Sequence, residues 1–93
     1  RTSSKNMPPA YEVRVERKAE RDLKKLSMDD LRRVVPHIRA LGDTPRPVGC
    51  RKLTGSEDDW RLRVGENRII YAIDDEAKVV QVMRVRHRRE AYR

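Results

Sequence analysis

The last third of the chain most constrains what this sequence can fold into. From Trp60 onward, apolar and β-branched residues alternate with charged ones in runs about one strand long. Three runs, 60–64, 68–74 and 79–85, are separated by turn-forming residues at 65–67 and 75–76, which is hairpin spacing. The pattern therefore predicts three consecutive antiparallel strands.

The residues before them predict one more strand and two helices. Tyr11–Glu16 alternates cleanly and indicates a half-buried strand. From Arg17 the apolar residues recur at helical spacing, and a second helix is expected to start after an N-cap at Ser27 and to end near Gly42. Pro36 conflicts with that second helix, which either bends there or consists of two short pieces.

The order strand, helix, helix and three strands predicts an α+β fold, β-α-α-β-β-β. It combines a small antiparallel sheet with a helical hairpin packed on one face. At 93 residues there is room for one core, so residues 7–93 are expected to form a single domain. Residues 1–6 are polar and patternless before Met7, and we interpret them as a cloning remnant or a disordered leader.

Composition narrows the class of partner. The formal charge of +8 points to a polyanion, nucleic acid first, although an acidic protein would also neutralise it. Cys50 is the single cysteine and there is no acidic or histidine cluster with metal-ligand spacing, so no cofactor is expected. No apolar run is long enough to cross a membrane, so a cytoplasmic protein without a membrane partner is the default expectation.

Basic residues concentrate on the predicted strands. Trp60, Leu62 and Val64 share one side of a strand, which leaves Arg61 and Arg63 on the other. Arg68 opens the next strand, and the last strand and its tail add further members at the same end. These are Arg84, Arg86, His87, Arg88 and Tyr92.

Guanidinium groups bind phosphate oxygens, histidine exchanges protons near neutral pH, and tyrosine stacks on bases. RNA also carries its own nucleophile, the 2′-hydroxyl, so this cluster suits cleavage of a phosphodiester in RNA. The plainer alternatives stay open: Arg61 and Arg63 as solvated or merely phosphate-binding residues, and His87 as incidental. His37, Tyr11 and Tyr71 are expected to be structural.

Several sequence blocks carry a family resemblance: Pro45–Pro47, Arg51–Gly55, Trp60–Ile73 and Arg84–Tyr92. On these, the chain resembles the RelE/ParE toxin superfamily, and within it the RelE branch of bacterial and archaeal toxin–antitoxin systems. The resemblance implies a microbial-ribonuclease-like fold and cleavage of mRNA in the ribosomal A site, which inhibits translation. It also implies the partners, namely a cognate RelB-like antitoxin, mRNA and the ribosomal RNA.

The resemblance assigns roles by position. Arg68 matches the arginine that binds the scissile phosphate, Arg88 the arginine that stabilises the transition state or protonates the leaving group, and Tyr92 the tyrosine that stacks on a base. His87 matches a histidine found in many family tails. The founding RelE enzymes carry lysines in place of Arg61 and Arg63. Because a guanidinium is a poor general base, we expect these two to act electrostatically and proton transfer to fall to His87 or a ribosomal group.

A wider basic set is expected to contact the RNA backbone: Lys24, Lys25, Arg51, Lys52, Arg84, Arg86 and Arg89. The basic face of the first helix, with Lys24 and Lys25, is equally consistent with a solvated surface. Two other functions remain. ParE toxins share the fold and inhibit DNA gyrase, and a non-catalytic RNA- or ribosome-binding module would also need such a surface.

Overall fold

The computed structural model describes residues 10–55 and 58–87. Their elements follow in the order β1 (Glu12–Val15), α1 (Arg17–Lys24), α2 (Met28–Ala40), β2 (Cys50–Lys52), β3 (Asp59–Val64), β4 (Asn67–Asp74) and β5 (Val79–His87). Residues 1–6 lie outside the described residues, and the single domain over 7–93 stays a prediction.

The strands form one five-stranded sheet in the order β1-β5-β4-β3-β2. The strands from β2 to β5 make the expected antiparallel meander, so the α+β class and the order of the main elements are confirmed. Two details differ from the prediction. The short β2 adds an edge strand, and β1 pairs with β5 in parallel, so the sheet is mixed rather than purely antiparallel.

The parallel pairing has a simple origin. Both helices and the strands β2, β3 and β4 lie between β1 and β5 in the chain, which provides the long connection that a parallel pair requires. Val13 then aligns with Val80 and Val15 with Val82, so the apolar sides of both strands face the same way.

Alternation along the strands separates a buried side of the sheet from an open side. In β4, Ile69, Tyr71 and Ile73 are buried while the residues between them are only half-buried. Val34 and Ile38 of α2 pack on the buried side, where α2 lies over β3 and β4. The helix α1 instead packs along β5. The predicted hairpin therefore covers one side and also reaches the margin of the sheet.

The start of α2 is as predicted. The Ser27 hydroxyl accepts a hydrogen bond from the Asp30 backbone N–H at 3.2 Å, an N-cap. Pro36 lies inside a single continuous helix rather than between two pieces, and it is exposed. Proline has no backbone N–H, so one hydrogen bond of the helix is missing at Pro36. Beside it, Nδ1 of His37 lies 2.8 Å from the carbonyl oxygen of Arg33. His37 is exposed on α2, and its structural role stays a prediction.

The end of α2 lies near Gly42, as predicted, but Gly42 itself is not a left-handed cap. The helix ends at Ala40 with Leu41 as its C-cap, and Gly42 does not take the left-handed conformation of a terminating glycine. Gly42 is buried, and its carbonyl oxygen accepts the N–H of Tyr11 at 2.8 Å, which ties the entry to β1 against the helix end. Within residues 10–55 and 58–87, neither helix is long and apolar enough to cross a membrane.

Candidate nucleic-acid interface

The open side of the sheet carries arginines in two lateral rows. The longer row, which we call row A, runs across four strands through direct cross-strand partners. Its members, in order from β2 to β5, are Arg51, Arg61, Ile70 and Arg84. The shorter row beside it is called row B.

Row B contains Arg63, Arg68 and Arg86, which are direct cross-strand partners in that order. It lies two residues along the strands from row A, a separation of about 6.6 Å. Like charges directly opposite one another in a sheet are destabilising. The register therefore concentrates positive charge on one surface at a cost in stability, which is typical of a surface that binds a polyanion.

Part of this surface is concave. A cavity of about 360 Å³ opens on it. The cavity is lined by Gly49, Arg51, Arg61, Arg63 and Arg68. The loop before β2 forms one wall, where Gly49 adopts a positive φ of 97°. Arg63 is anchored at the rim, since its Nε donates to the carbonyl oxygen of Gly65 at 3.2 Å. A phosphate-sized anion fits the charge and the size of this cavity.

Arg84 is held by a carboxylate. Its Nε and Nη2 donate to the two oxygens of Asp22 on α1 at 2.8 and 3.3 Å, and Asp22 also accepts the backbone N–H of Val85 at 3.0 Å. Burial by itself would raise the pKa of the Asp22 carboxyl, but these hydrogen bonds and the nearby charge of Arg86 outweigh burial and lower it. Arg84, expected to contact RNA, therefore serves first as a clamp between α1 and β5.

Asp22 was not anticipated from the sequence. It lies three residues after Ala19, on the apolar stripe of a helix that is mostly basic elsewhere, and is 6% exposed. An acidic residue on the buried side of a helix is the signal that would have identified it, because such a group needs a charged partner. The margin of β5 beyond β1 supplies that partner.

His87 stands apart from the arginine rows. It is the last residue of β5 and pairs with Asn67, the first residue of β4. Side chains alternate between the two sides of a strand, so His87 lies on the buried side of the sheet with Val85, and Arg86 lies on the open side. Asn67 is fully buried, and among the described residues neither polar atom of its side chain has a hydrogen-bond partner.

The remaining predicted residues are spread more widely. Lys52 is exposed on β2 opposite Trp60, on the other side of the strand from Arg51. Lys24 and Lys25 are exposed at the end of α1 and are not part of either row. Arg88, Arg89 and Tyr92 lie outside the described residues. Within residues 10–55 and 58–87, no three His, Cys, Asp or Glu side chains are grouped so as to hold a metal ion.

Known proteins are similar to this chain in both sequence and fold. The model of the family described as "ParE toxin of type II toxin-antitoxin system, parDE" matches residues 13–92. Toxin RelG of Mycobacterium tuberculosis is 40% identical over 89 residues, covering 89% of this chain and 97% of RelG.

The solved structures that are similar to this chain are also of toxins. A chain of the toxin–antitoxin complex RelBE2 of M. tuberculosis superposes with a TM-score of 0.76 at 35% identity, over 86% of this chain and 99% of that one. A chain of the archaeal RelE–RelB complex of Pyrococcus horikoshii OT3 also gives a TM-score of 0.76, at 26% identity, over 85% and 96%.

Fold and sequence thus define a toxin of a type II toxin–antitoxin system. The chain belongs to the ParE toxin family, within the RelE/ParE superfamily, and its similar relatives include proteins named RelE and RelG. The resemblance inferred from the strand motifs is confirmed.

Proposed function

We propose that this toxin is an endoribonuclease that cleaves mRNA in the ribosomal A site and so inhibits translation in the cytoplasm. The observation that supports this function best is the pair of arginine rows, which opposes like charges across three strand pairs on an open surface. A protein of +8 charge that maintains such a surface is suited to a substrate with several closely spaced phosphates.

The proposed reaction uses the nucleophile that RNA provides. The 2′-oxygen attacks the adjacent phosphorus while the bond from phosphorus to the 5′-oxygen breaks. The proton of the 2′-hydroxyl passes to a base, and the departing 5′-oxygen takes up a proton. The products are a 2′,3′-cyclic phosphate and a 5′-hydroxyl, and the reaction needs no group to be oxidised or reduced.

Within this proposal, Arg68 binds the scissile phosphate. It is the middle member of row B, between Arg63 and Arg86, and it lines the cavity. Negative charge grows on the phosphate oxygens in the transition state, and fixed guanidinium groups stabilise it more than they stabilise the ground state. Arg61 and Arg63 contribute to the same field.

Proton transfer is assigned to His87 or to a group of the ribosome. The pKa range of imidazole suits the role. However, the strand position of His87 turns it away from the rows, so acting on RNA requires its ring to reach around the end of β5. Arg88 and Tyr92 retain the roles that family resemblance gives them, stabilisation of the transition state and stacking on a base.

We also propose a RelB-like antitoxin as the partner that keeps the toxin inactive. Support comes from the relatives, because the archaeal and mycobacterial structures of similar fold are toxin–antitoxin complexes. The strong positive charge of this chain makes an acidic antitoxin segment the complementary partner.

Primer extension on mRNA bound to programmed ribosomes tests the nuclease, with a reaction lacking ribosomes beside it. We expect cuts at A-site codons that depend on the ribosome. Arg68→Ala should slow them roughly hundredfold, the usual effect of removing one transition-state donor. Arg14→Ala is the matched control, since Arg14 lies on the same open side but is paired with Glu12. The Arg14→Ala protein should cleave at the wild-type rate.

The same gel separates the alternatives. If His87→Gln cleaves at the full rate, the proton acceptor is not His87 and the ribosomal group remains. If wild-type protein makes no cuts, the nuclease proposal fails. Because the matching family model is that of ParE toxins, inhibition of DNA gyrase is then the second candidate, and a supercoiling assay would follow.

A further inference from the structure

A large apolar side chain lies in the middle of the arginine surface. Ile70 is flanked directly by Arg61 on β3 and by Arg84 on β5. On its own strand the next residue on the open side is Arg68, and the diagonal neighbours are Arg63 and Arg86. Arginines therefore surround Ile70 on three sides.

Ile70 does not belong to the hydrophobic core. The core is formed by the residues on either side of it, Ile69 and Tyr71, and Ile70 is not among the apolar side chains that pack against that core. It is half-buried on the open side, so part of an isoleucine side chain meets solvent between guanidinium groups. Burial of the core therefore does not account for an isoleucine at this position.

The local backbone is also irregular there. The register of β4 with β5 shifts between Ile70 and Tyr71, so that Met83 is skipped between Val82 and Arg84. Such bulges twist a strand and redirect side chains, and they occur often beside functional sites. In this sheet the bulge lies next to the one large apolar residue of row A.

We propose that Ile70 is the floor on which a nucleobase of the bound RNA rests while the two arginine rows hold the phosphates on either side of that nucleotide. A nucleotide presents an apolar base next to a charged phosphate, and the open side offers the same two chemistries side by side. The rows lie about 6.6 Å apart along the strands with Ile70 in row A, so phosphate contacts fix the backbone while the apolar contact holds the base.

This inference rests on the proposed function, since it names a contact to the same RNA. It adds a residue that holds the base, and it requires neither the ribosome nor cleavage. A surface of arginines alone would bind any polyanion equally, whereas an apolar floor gives a preference for nucleotides that carry bases.

The test is a thermodynamic cycle on binding that combines one substitution in the protein with one change in the ligand. The probes are a short 2′-O-methyl oligoribonucleotide, which lacks the reacting hydroxyl, and the same sugar–phosphate backbone without bases. Their dissociation constants are measured at low salt by fluorescence anisotropy with wild-type protein and with Ile70→Thr. Threonine keeps the β-branched shape that a strand favours and replaces apolar surface by a hydroxyl.

We expect Ile70→Thr to bind the oligonucleotide roughly fivefold more weakly, as the loss of about one buried methylene group predicts. Binding of the backbone without bases should not change. Val79→Thr is the matched control. Val79 is also a half-buried β-branched residue on the open side, but it lies at the other end of β5 opposite Asp74, so it should leave both dissociation constants unchanged.

Equal weakening of both probes by Ile70→Thr, no weakening of either, or equal wild-type affinity for the two probes would overturn the proposal. So would wild-type protein that binds neither probe. Thermal unfolding verifies that each variant is folded, and Ile70→Val provides a second variant with a smaller loss in the same direction. Since no cleavage is measured, a failed cycle leaves the nuclease result standing, and a failed nuclease assay leaves the cycle interpretable.

Discussion

Arg84 and Arg61 stand in the same lateral row on one side of the sheet, yet their surroundings differ. Arg84, 36% exposed, is clamped by two hydrogen bonds to the Asp22 carboxylate, which is itself almost fully buried. Arg61 faces Arg51 across β2 and β3, and neither has a carboxylate partner among the described residues. In row A, the charge of Arg84 is therefore neutralised by Asp22, whereas the charges of Arg51 and Arg61 are not neutralised by a carboxylate of the described residues.

The difference separates an arginine that is held in an ion pair from one that is open to a ligand. Where α1 meets β5, charge is paired and helps to fix the helix against the sheet. In the cavity beside β2, the opposed guanidiniums of Arg51 and Arg61 weaken the sheet but keep their field available to a ligand. The same residue type thus has opposite effects on stability at two positions of one row, two strands apart.

The largest effect on stability is expected at the paired region. Asp22→Ala leaves Arg84 without its carboxylate and the Val85 N–H without an acceptor. The free energy of unfolding should fall by about 2 to 3 kcal/mol, less than for a fully buried pair because Arg84 remains partly in water. Urea denaturation at neutral pH measures the loss, and Asp43→Asn, an exposed acid in the turn after α2, should leave stability almost unchanged.

The same pair predicts a pH dependence. The pKa of Asp22 is lower in the folded protein than in the unfolded chain, so the unfolded chain takes up the proton first as the pH falls. The contribution of Asp22 is therefore complete above pH of about 4 to 5 and is lost below it. The difference between wild type and Asp22→Ala should shrink in acid, and a constant difference down to low pH would contradict the ion pair.

A second paired site, on the surface, should give a smaller effect. Asp75 receives two hydrogen bonds from Arg46 and one from the hydroxyl of Tyr11, and these bonds lower its pKa. Asp75→Asn should lower the melting temperature less than Asp22→Ala does, because solvent and salt screen an exposed pair. Thermal melts at low and high salt measure this. Glu76→Gln, in the same turn, is the control, and a larger loss at Asp75 than at Asp22 would reverse the comparison.

The smallest expected effect has the opposite sign. Arg61→Thr removes one of two opposed guanidiniums and puts a good strand former in its place, so it should stabilise the protein by about 0.5 kcal/mol while weakening RNA binding. Urea denaturation and the anisotropy assay are run on the same preparation. A destabilised Arg61→Thr protein would show that Arg61 supports the fold after all.

Local pattern predicted most of the fold. Alternation identified β3, β4 and β5 and the open side that carries Arg61 and Arg63, and the cap at Ser27 located the start of α2. These features depend on neighbours within a few residues, which is why one sequence suffices for them.

Features that depend on distant partners were not predicted. The parallel pairing of β1 with β5 joins two strands that the helices and three other strands separate in the chain, and the three residues of β2 are too few to show a period. The bulge beside Ile70 and the clamp at Asp22 exist only once β5 is in register with its neighbours. The arginines of the candidate site were foreseen, but not that Arg84 would be neutralised or that His87 would turn away.

The parallel pairing of β1 with β5 also bears on how this chain is made. Glu16 and Gln81, joined by a side-chain hydrogen bond at the end of this pair, are 65 residues apart in the chain. During synthesis the first strand emerges early and has no partner until β5 has left the ribosome. Row B is likewise incomplete without Arg86 of that same strand. The charged surface that is proposed to hold RNA is thus complete only once the last strand has joined the first.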